Sequence, residues 1–100
     1  MDFEKIILKE KEPAILVFGA DWSGSSSMMD NLMERISSEL NSDIKIFKVD
    51  IEGQADISNF FSIHTVPTTV LLKDGEVVDL IKGLIPASLM RKKIQKVFTV

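Results

Sequence analysis

The apolar and polar positions of this chain alternate between the spacing of strands and the spacing of helices. Residues 14–18 form a continuous apolar run of strand length, as expected of a central strand that is covered on both faces. Over residues 26–40 the apolar side chains recur every three or four positions, which predicts an amphipathic helix of about four turns. The apolar face of this helix consists of Met29, Leu32, Met33, Ile36 and Leu40.

Shorter elements complete the pattern before and after this helix. Asp2 is a candidate N-cap for a short first helix that buries Phe3, Ile6 and Ile7 and ends at Pro13. The later elements are a strand over residues 44–50, a short helix over residues 54–62, strands over residues 68–73 and 76–82, and a closing helix that begins near Pro86.

The order of these elements predicts one α/β domain over residues 1–100. Asp74-Gly75 lies between two apolar segments and predicts a two-residue hairpin, because a type I′ turn needs positive φ at both central residues. A first helix is thus followed by β-α-β, a connecting helix and β-β-α. This order predicts a mixed four-stranded sheet with helices on both faces.

Composition and charge exclude several classes of protein. The 100 residues are 45% hydrophobic and 27% charged, which is typical of a folded globule. The basic residues are spread among the more numerous acids, and with a net charge of -3 we expect neither nucleic acid nor a membrane as partner. No apolar run is long enough to span a bilayer and residues 1–12 are charged rather than signal-like, so we expect a chain that is either cytoplasmic or already trimmed of a signal. We also expect a monomer.

Residues 23–27 are rich in serine and directly precede the main helix. Serine is a favoured N-cap because its hydroxyl accepts a hydrogen bond from an otherwise unpaired amide, so a capping loop is the simplest interpretation. A serine hydrolase would need the only histidine, His64, beside a serine and an orienting acid. Asp50, Glu52 and Asp56 fit neither a calcium loop nor a zinc site, so they predict a solvated acidic loop and no metal.

Four segments, in matching order and spacing, resemble the thioredoxin family over nearly the whole chain. Residues 18–26 (FGADWSGSS) resemble the segment with the Trp-Cys-Gly-Pro-Cys redox site, residues 63–68 (IHTVPT) the cis-proline loop, residues 73–76 (KDGE) the Lys-Asn-Gly-Glu hairpin, and Gly83 the glycine of the last loop. The resemblance implies a thioredoxin-like fold and a lineage of thiol–disulfide exchange. It places Ser23 and Ser26 at the positions of the two redox cysteines. Because hydroxyl groups cannot replace thiolates in this exchange and the chain has no cysteine, we expect it to be redox-inactive and to use no cofactor.

The same resemblance implies a peptide-binding groove around the missing dithiol. Its substrate-binding residues are Trp22, Gly24, Ser25, Thr65, Val66, Pro67, Gly83 and Leu84. The Val66–Pro67 bond is expected to be cis and Pro67 to lie beside Ser23, so that an extended peptide of a client protein pairs there like an added strand.

The chain also departs from the family at positions that bear on its chemistry. Val17 stands where the family commonly buries an aspartate that helps to deprotonate the second thiol, and Lys48 matches the lysine that often accompanies that aspartate. The family's first strand is missing, so we expect the strand over residues 44–49 to be an uncovered edge. Lys45 and Lys48 are expected to protect this edge from pairing with another chain.

Two main functions stay open, and a serine-dependent hydrolase is a more distant third. In the first, the chain is a form of a protein-disulfide oxidoreductase in which serine replaces both cysteines. In the second, it is a natural non-catalytic module that binds extended peptides or partner proteins. The near-isosteric serines favour the first interpretation, whereas Val17, Ser25 and the missing first strand favour the second.

Overall fold

The computed structural model describes residue 9 and residues 11–98, and this part of the chain contains four strands and three helices. They are β1 (Ala14–Gly19), α1 (Gly24–Ser37), β2 (Lys45–Asp50), α2 (Ala55–Phe60), β3 (Thr68–Lys73), β4 (Glu76–Lys82) and α3 (Ala87–Phe98). The predicted first helix around Phe3, Ile6 and Ile7 lies outside the described residues.

The four described strands form one mixed sheet in the order β2-β1-β3-β4. β1 runs parallel to β2, with Ala14 opposite Lys45, and antiparallel to β3, with Phe18 opposite Thr68. β3 and β4 form an antiparallel hairpin in which Thr68 lies opposite Lys82. The predicted mixed four-stranded α/β fold is therefore confirmed. The carboxyl ends of β1, β2 and β4 and the start of β3 all lie at the same end of the sheet.

Helices cover both faces of the sheet, as the sequence predicts. The layer under α1 and α3 contains Ile15, Val17, Met29, Leu32, Met33, Ile36, Leu71, Ile81, Met90, Ile94 and Val97. The layer on the face of α2 contains Ala14, Leu16, Phe18, Val49, Ile57, Ile63, Val70 and Leu72. Because β1 contributes alternate side chains to both layers, its continuous apolar run reflects burial on both faces. Each such aliphatic or aromatic side chain stabilises the fold by about 1.5–3 kcal/mol.

The bounds of the main helix differ from the predicted residues 26–40. α1 begins two residues earlier and ends three residues earlier. At its end, the hydroxyl of Ser37 donates to the carbonyl of Glu34 at 2.6 Å, and the hydroxyl of Ser38 donates to the carbonyl of Arg35 at 2.8 Å. Such side-chain bonds compete with the continuation of a helix, so the serines stop α1 before its apolar pattern ends.

The hairpin between β3 and β4 lies at the predicted residues. The φ angles of Asp74 and Gly75 are 56° and 79°, both positive, as a type I′ turn requires. β2 lies at the edge of the described sheet, and Lys45 and Lys48 on this strand are exposed.

Candidate functional site

Three loops meet at one end of the sheet, next to the start of α1. The register of β1 and β3 ends with Phe18 opposite Thr68, so the segment after Gly19 lies beside the segment before Thr68. The backbone N–H of Gly83, just after β4, donates to the carbonyl of Pro67 at 2.8 Å. The segments that follow β1, precede β3 and follow β4 are therefore neighbours in space.

Ser23 is the N-cap of α1. Its backbone is extended (φ −102°, ψ 114°), and its Oγ accepts a hydrogen bond from the N–H of Ser26 at 3.1 Å. The hydroxyl thus has the capping role that its sequence position predicts. Because the first amides of a helix lack partners within the helix and carry the positive end of its dipole, an atom at this Oγ position lies where negative charge is stabilised.

Ser26 is enclosed between α1 and the end of β1. It is only 3% exposed, and its Oγ accepts a hydrogen bond from the N–H of Ala20 at 3.2 Å. A Cβ on Gly19 would lie 3.1 Å from the Cβ of Ser26 and 3.2 Å from its Oγ, so the glycine leaves room for this side chain. The two serines therefore differ: Ser23 is half-buried, whereas Ser26 is closed off from solvent.

The loop before β3 is held by backbone and hydroxyl contacts. The Val66–Pro67 peptide bond is cis, Pro67 is buried, and Thr65 is exposed. The hydroxyl of Thr68 donates to the carbonyl of Thr65 at 2.7 Å. On the other side, Gly83 has a φ of 80°, a conformation that favours glycine, and its N–H donates to the carbonyl of Pro67.

Trp22 and Leu84 are exposed apolar side chains in the loops after β1 and β4, with 69% and 39% of their surfaces accessible. The indole N–H of Trp22 donates to the carboxylate of Glu52 at 2.8 Å, and the N–H of Glu52 donates to the carboxylate of Asp50 at 3.0 Å. The acidic loop after β2 therefore orients the tryptophan. This role of Glu52 was not predicted from the sequence. The only available signal was that the parallel strands β1 and β2 end side by side.

Lys48 pairs with a carboxylate on the helix rather than on the strand. It lies opposite Val17, which is 2% exposed, and its ammonium is 2.9 Å from the carboxylate of Asp30 on α1. The hydrogen bond to Asp30 raises the pKa of Lys48 above its ordinary value, and the negative charge of Asp30 acts in the same direction. Asp30 was not predicted as a partner of this lysine.

The described residues give no geometry for hydrolase or metal chemistry. His64 is exposed and makes no hydrogen bond or ion pair within the described part of the chain. Among residues 9 and 11–98, no three potential metal-ligating side chains come together. None of the described helices has the length and apolar character needed to cross a bilayer.

All the predicted site residues lie in these three loops or in the first turn of α1. The loops after β1 and β4 are on either side of the Pro67 loop, because β3 lies between β1 and β4 in the sheet. Direct contact between Ser23 and Pro67 stays a prediction, as does the binding of a peptide.

Known proteins that are similar to this chain, both in sequence and in structure, include thioredoxins. A sequence profile described as Thioredoxin matches residues 1–96. A thioredoxin of Rickettsia bellii is 34% identical over 82 residues, which are 82% of this chain and 78% of that protein. The chloroplastic thioredoxin Y of Oryza sativa subsp. japonica is 26% identical over 98 residues, which are 98% of this chain but only 58% of that protein. A solved mutant thioredoxin from Halobacterium salinarum NRC-1 has the same fold, with a TM-score of 0.81 at 23% identity over 94% of this chain and 81% of that chain.

Proposed function

This chain belongs to the thioredoxin family, and we propose that it is a redox-inactive member that binds extended segments of client proteins at the end of the sheet near Trp22 and Pro67. The family's lineage is one of thiol–disulfide exchange, whereas this chain contains no cysteine. We therefore propose that the site binds peptide segments but does not carry out thiol–disulfide exchange.

The contacts of the two serines support the absence of exchange chemistry. Exchange needs one thiolate to attack a disulfide and a second thiol to resolve the mixed disulfide. Here the Oγ of Ser23 accepts from the N–H of Ser26, and the Oγ of Ser26 accepts from the N–H of Ala20. Both hydroxyl oxygens thus pair with backbone amides. Among the described residues, no histidine or carboxylate is hydrogen-bonded to either hydroxyl to activate it.

The observation that carries the binding proposal is the exposure of Trp22 and Leu84 on the two sides of the Pro67 loop. Accessible apolar side chains beside loop backbone suit a segment that pairs in an extended conformation and places side chains on the apolar surface. We expect weak affinity, because the contact area is small and no covalent link can form.

The test uses the tryptophan itself as reporter, because Trp22 is the only tryptophan in the chain. We expect titration with fully reduced, carboxymethylated insulin B chain to give a saturable change in the fluorescence of Trp22. In the ¹⁵N NMR spectrum, the first amide signals to move should be those of Trp22, Ser23, Gly24, Thr65, Val66, Gly83 and Leu84.

A matched pair of variants tests where the peptide lies. Leu84 in the groove and Leu89 on α3 are similarly exposed, at 39% and 42%. Leu84→Asp should weaken binding severalfold because it places a charge on the apolar contact surface, whereas Leu89→Asp should leave the affinity unchanged. Equal effects of the two variants, or NMR shifts confined to β2, would contradict the groove as the binding site.

A second candidate function, a protein-disulfide oxidoreductase in which both cysteines are replaced by serine, is favoured by the placement of Ser23 and Ser26. One side chain caps α1 and is half-buried, and the other is enclosed one turn later. The double variant Ser23→Cys with Ser26→Cys should then form an internal disulfide under mild oxidant and reduce insulin, which the chain as given should not do. The control with equal thiol content is Ser25→Cys with Ser27→Cys. If the first pair oxidises no faster than the control, the loop lacks disulfide geometry and this candidate is rejected.

A further inference from the structure

The outer edge of β2 is a second surface, separated from the Pro67 loop by β1. We propose that an extended partner segment adds to this edge as a further strand, and that the segment carries a cationic side chain and an apolar side chain two positions apart. This site does not depend on the proposed function of the Pro67 groove.

The backbone of β2 is unpaired on its outer side within the described part of the chain. The N–H groups of Lys45 and Ile51 donate to carbonyls on the β1 side, at 3.0 and 3.1 Å. Because peptide groups alternate along a strand, those of Ile46 and Lys48 point away from β1. β1 is the only described strand next to β2, so these two residues offer both N–H and C=O groups to a partner.

The outward row of amides ends at Asp50. Its N–H has no strand partner among the described residues and donates to the side-chain oxygen of Gln54 at 3.1 Å. The available edge is therefore short, and it is centred on Ile46 and Lys48. This length suits a segment of a few residues rather than a whole sheet.

Two cavities open on the α1 side of this edge. The first has a volume of about 370 Å³ and is lined in part by Gly19, Asp21, Asp30, Lys48 and Asp50. The second has a volume of about 390 Å³ and is lined in part by Val17, Met33, Glu34, Ile46 and Lys48. The Lys48–Asp30 ion pair lines both cavities and lies between them.

Alternate residues of β2 line the two cavities, Lys48 and Asp50 the first and Ile46 and Lys48 the second. Side chains at positions i and i+2 of an added strand point to the same face and lie about 7 Å apart. Ile46 and Lys48 have this same spacing on β2, and each lines the α1 side of the edge. Two alternate side chains of the partner would therefore lie over the two cavities while its backbone pairs with β2.

The charges and apolar surfaces of the cavities select the side chains. The first cavity is lined by the carboxylates of Asp21, Asp30 and Asp50 and by one ammonium, that of Lys48, so this lining carries a net charge of −2. Asp30 is paired with the lysine and Asp50 accepts the N–H of Glu52, so the excess negative charge, above all that of Asp21, favours a lysine or arginine of the partner. The second cavity is lined by the apolar side chains of Val17, Met33 and Ile46 beside Glu34, and this apolar surface favours an apolar side chain.

Lysines on an edge strand usually discourage pairing, and Lys45 remains exposed in that role. Lys48 is different because its ammonium is held by Asp30 on α1 at 2.9 Å. This ion pair directs the lysine over the helix rather than out from the edge. No strand among the described residues pairs with the centre of this edge.

The experiment uses capped heptapeptides with leucine and lysine two positions apart in a threonine background, in both sequence orders. Titration of the ¹⁵N-labelled full chain should move the amide signals of Ile46 and Lys48 first and leave those of Thr65 and Val66 in the Pro67 loop unmoved. A peptide with glutamate in place of lysine should bind roughly fivefold more weakly.

Variants and peptide chemistry identify the contacts. Asp21→Asn should weaken binding of the lysine peptide roughly threefold and strengthen binding of the glutamate peptide, whereas Glu76→Gln on the opposite edge strand should have no effect. Lys48→Pro removes an outward N–H and should abolish binding, whereas Lys48→Thr keeps this N–H and should bind. If Lys48→Pro does not fold, the peptide can be N-methylated instead, at either its odd-numbered or its even-numbered residues. Only the pattern that removes the N–H groups facing β2 should abolish binding.

Several outcomes would overturn the proposal. These are the absence of saturable binding by either sequence order, shifts confined to the Trp22 and Pro67 loops, equal binding of the lysine and glutamate peptides, or equal tolerance of both N-methylation patterns. Sedimentation that shows dimers through β2 without peptide would assign the edge to a second copy of this chain and would also overturn it.

Discussion

Removal of the Ser26 hydroxyl should destabilise the fold although it deletes a single atom. The Oγ of Ser26 accepts the N–H of Ala20 at 3.2 Å in a site where Ser26 is only 3% exposed. In Ser26→Ala this N–H loses its acceptor where water cannot readily replace it, which costs about 1–3 kcal/mol. Alanine has a better helix propensity than serine, which offsets up to about 0.5 kcal/mol. The net expected loss is about 1–2 kcal/mol.

The measurement is the free energy of unfolding from urea denaturation, together with the thermal midpoint. For a domain of this size, the loss corresponds to a fall in the midpoint of roughly 5–15 °C. The control is Ser27→Ala, in the same turn of α1, because Ser27 is exposed and should change stability by less than about 0.5 kcal/mol. Hydrogen exchange of the Ala20 amide should also accelerate in Ser26→Ala and not in the control.

If Ser26→Ala proves as stable as Ser27→Ala, the Ser26 hydroxyl does not satisfy a buried amide, and the reasoning about this site is wrong. A loss of stability without faster exchange at Ala20 would place the cost in packing rather than in the hydrogen bond. The two measurements together therefore separate the proposed cause from a general effect of substitution.

Three further predictions address other parts of the molecule. The hydroxyl of Thr69 is buried without a hydrogen-bond partner in the described residues, so Thr69→Val should raise the free energy of unfolding by about 1 kcal/mol in urea, and a decrease would contradict this account. The hydrogen bond from Arg91 lowers the pKa of Glu39, so their pair stabilises the fold above the ordinary carboxyl pKa and this contribution is lost as the pH falls through the folded-state pKa. The stability difference between the unmodified chain and Glu39→Gln should therefore shrink from about pH 7 to about pH 3 in urea titrations, and a constant difference would argue against the pairing. Glu52→Ala should free the indole of Trp22 and speed the decay of its fluorescence anisotropy, whereas an unchanged decay would mean that Glu52 does not orient it.

Much of the fold could be predicted because its signals are local in the chain. The continuous apolar run of residues 14–18 requires a strand buried on both faces, and Asp74-Gly75 supplies the positive φ angles of a tight hairpin. The apolar spacing over residues 26–40 predicted which side chains of α1 are buried. The helix ends earlier than predicted, where the hydroxyl of Ser37 donates to the carbonyl of Glu34. The resemblance of the loop sequences then indicated which segments meet at the site.

The sequence by itself determined that this chain forms an α/β sheet and that it has no thiol with which to perform exchange. Only the tertiary structure decided that Glu52 orients Trp22, that Asp30 pairs with Lys48, and that the hydroxyl of Ser26 satisfies a buried amide. The physical reason is the range of the interactions. Period and turn chemistry depend on neighbours in sequence, whereas the partner of a polar side chain depends on the strand register and helix placement that bring distant residues together.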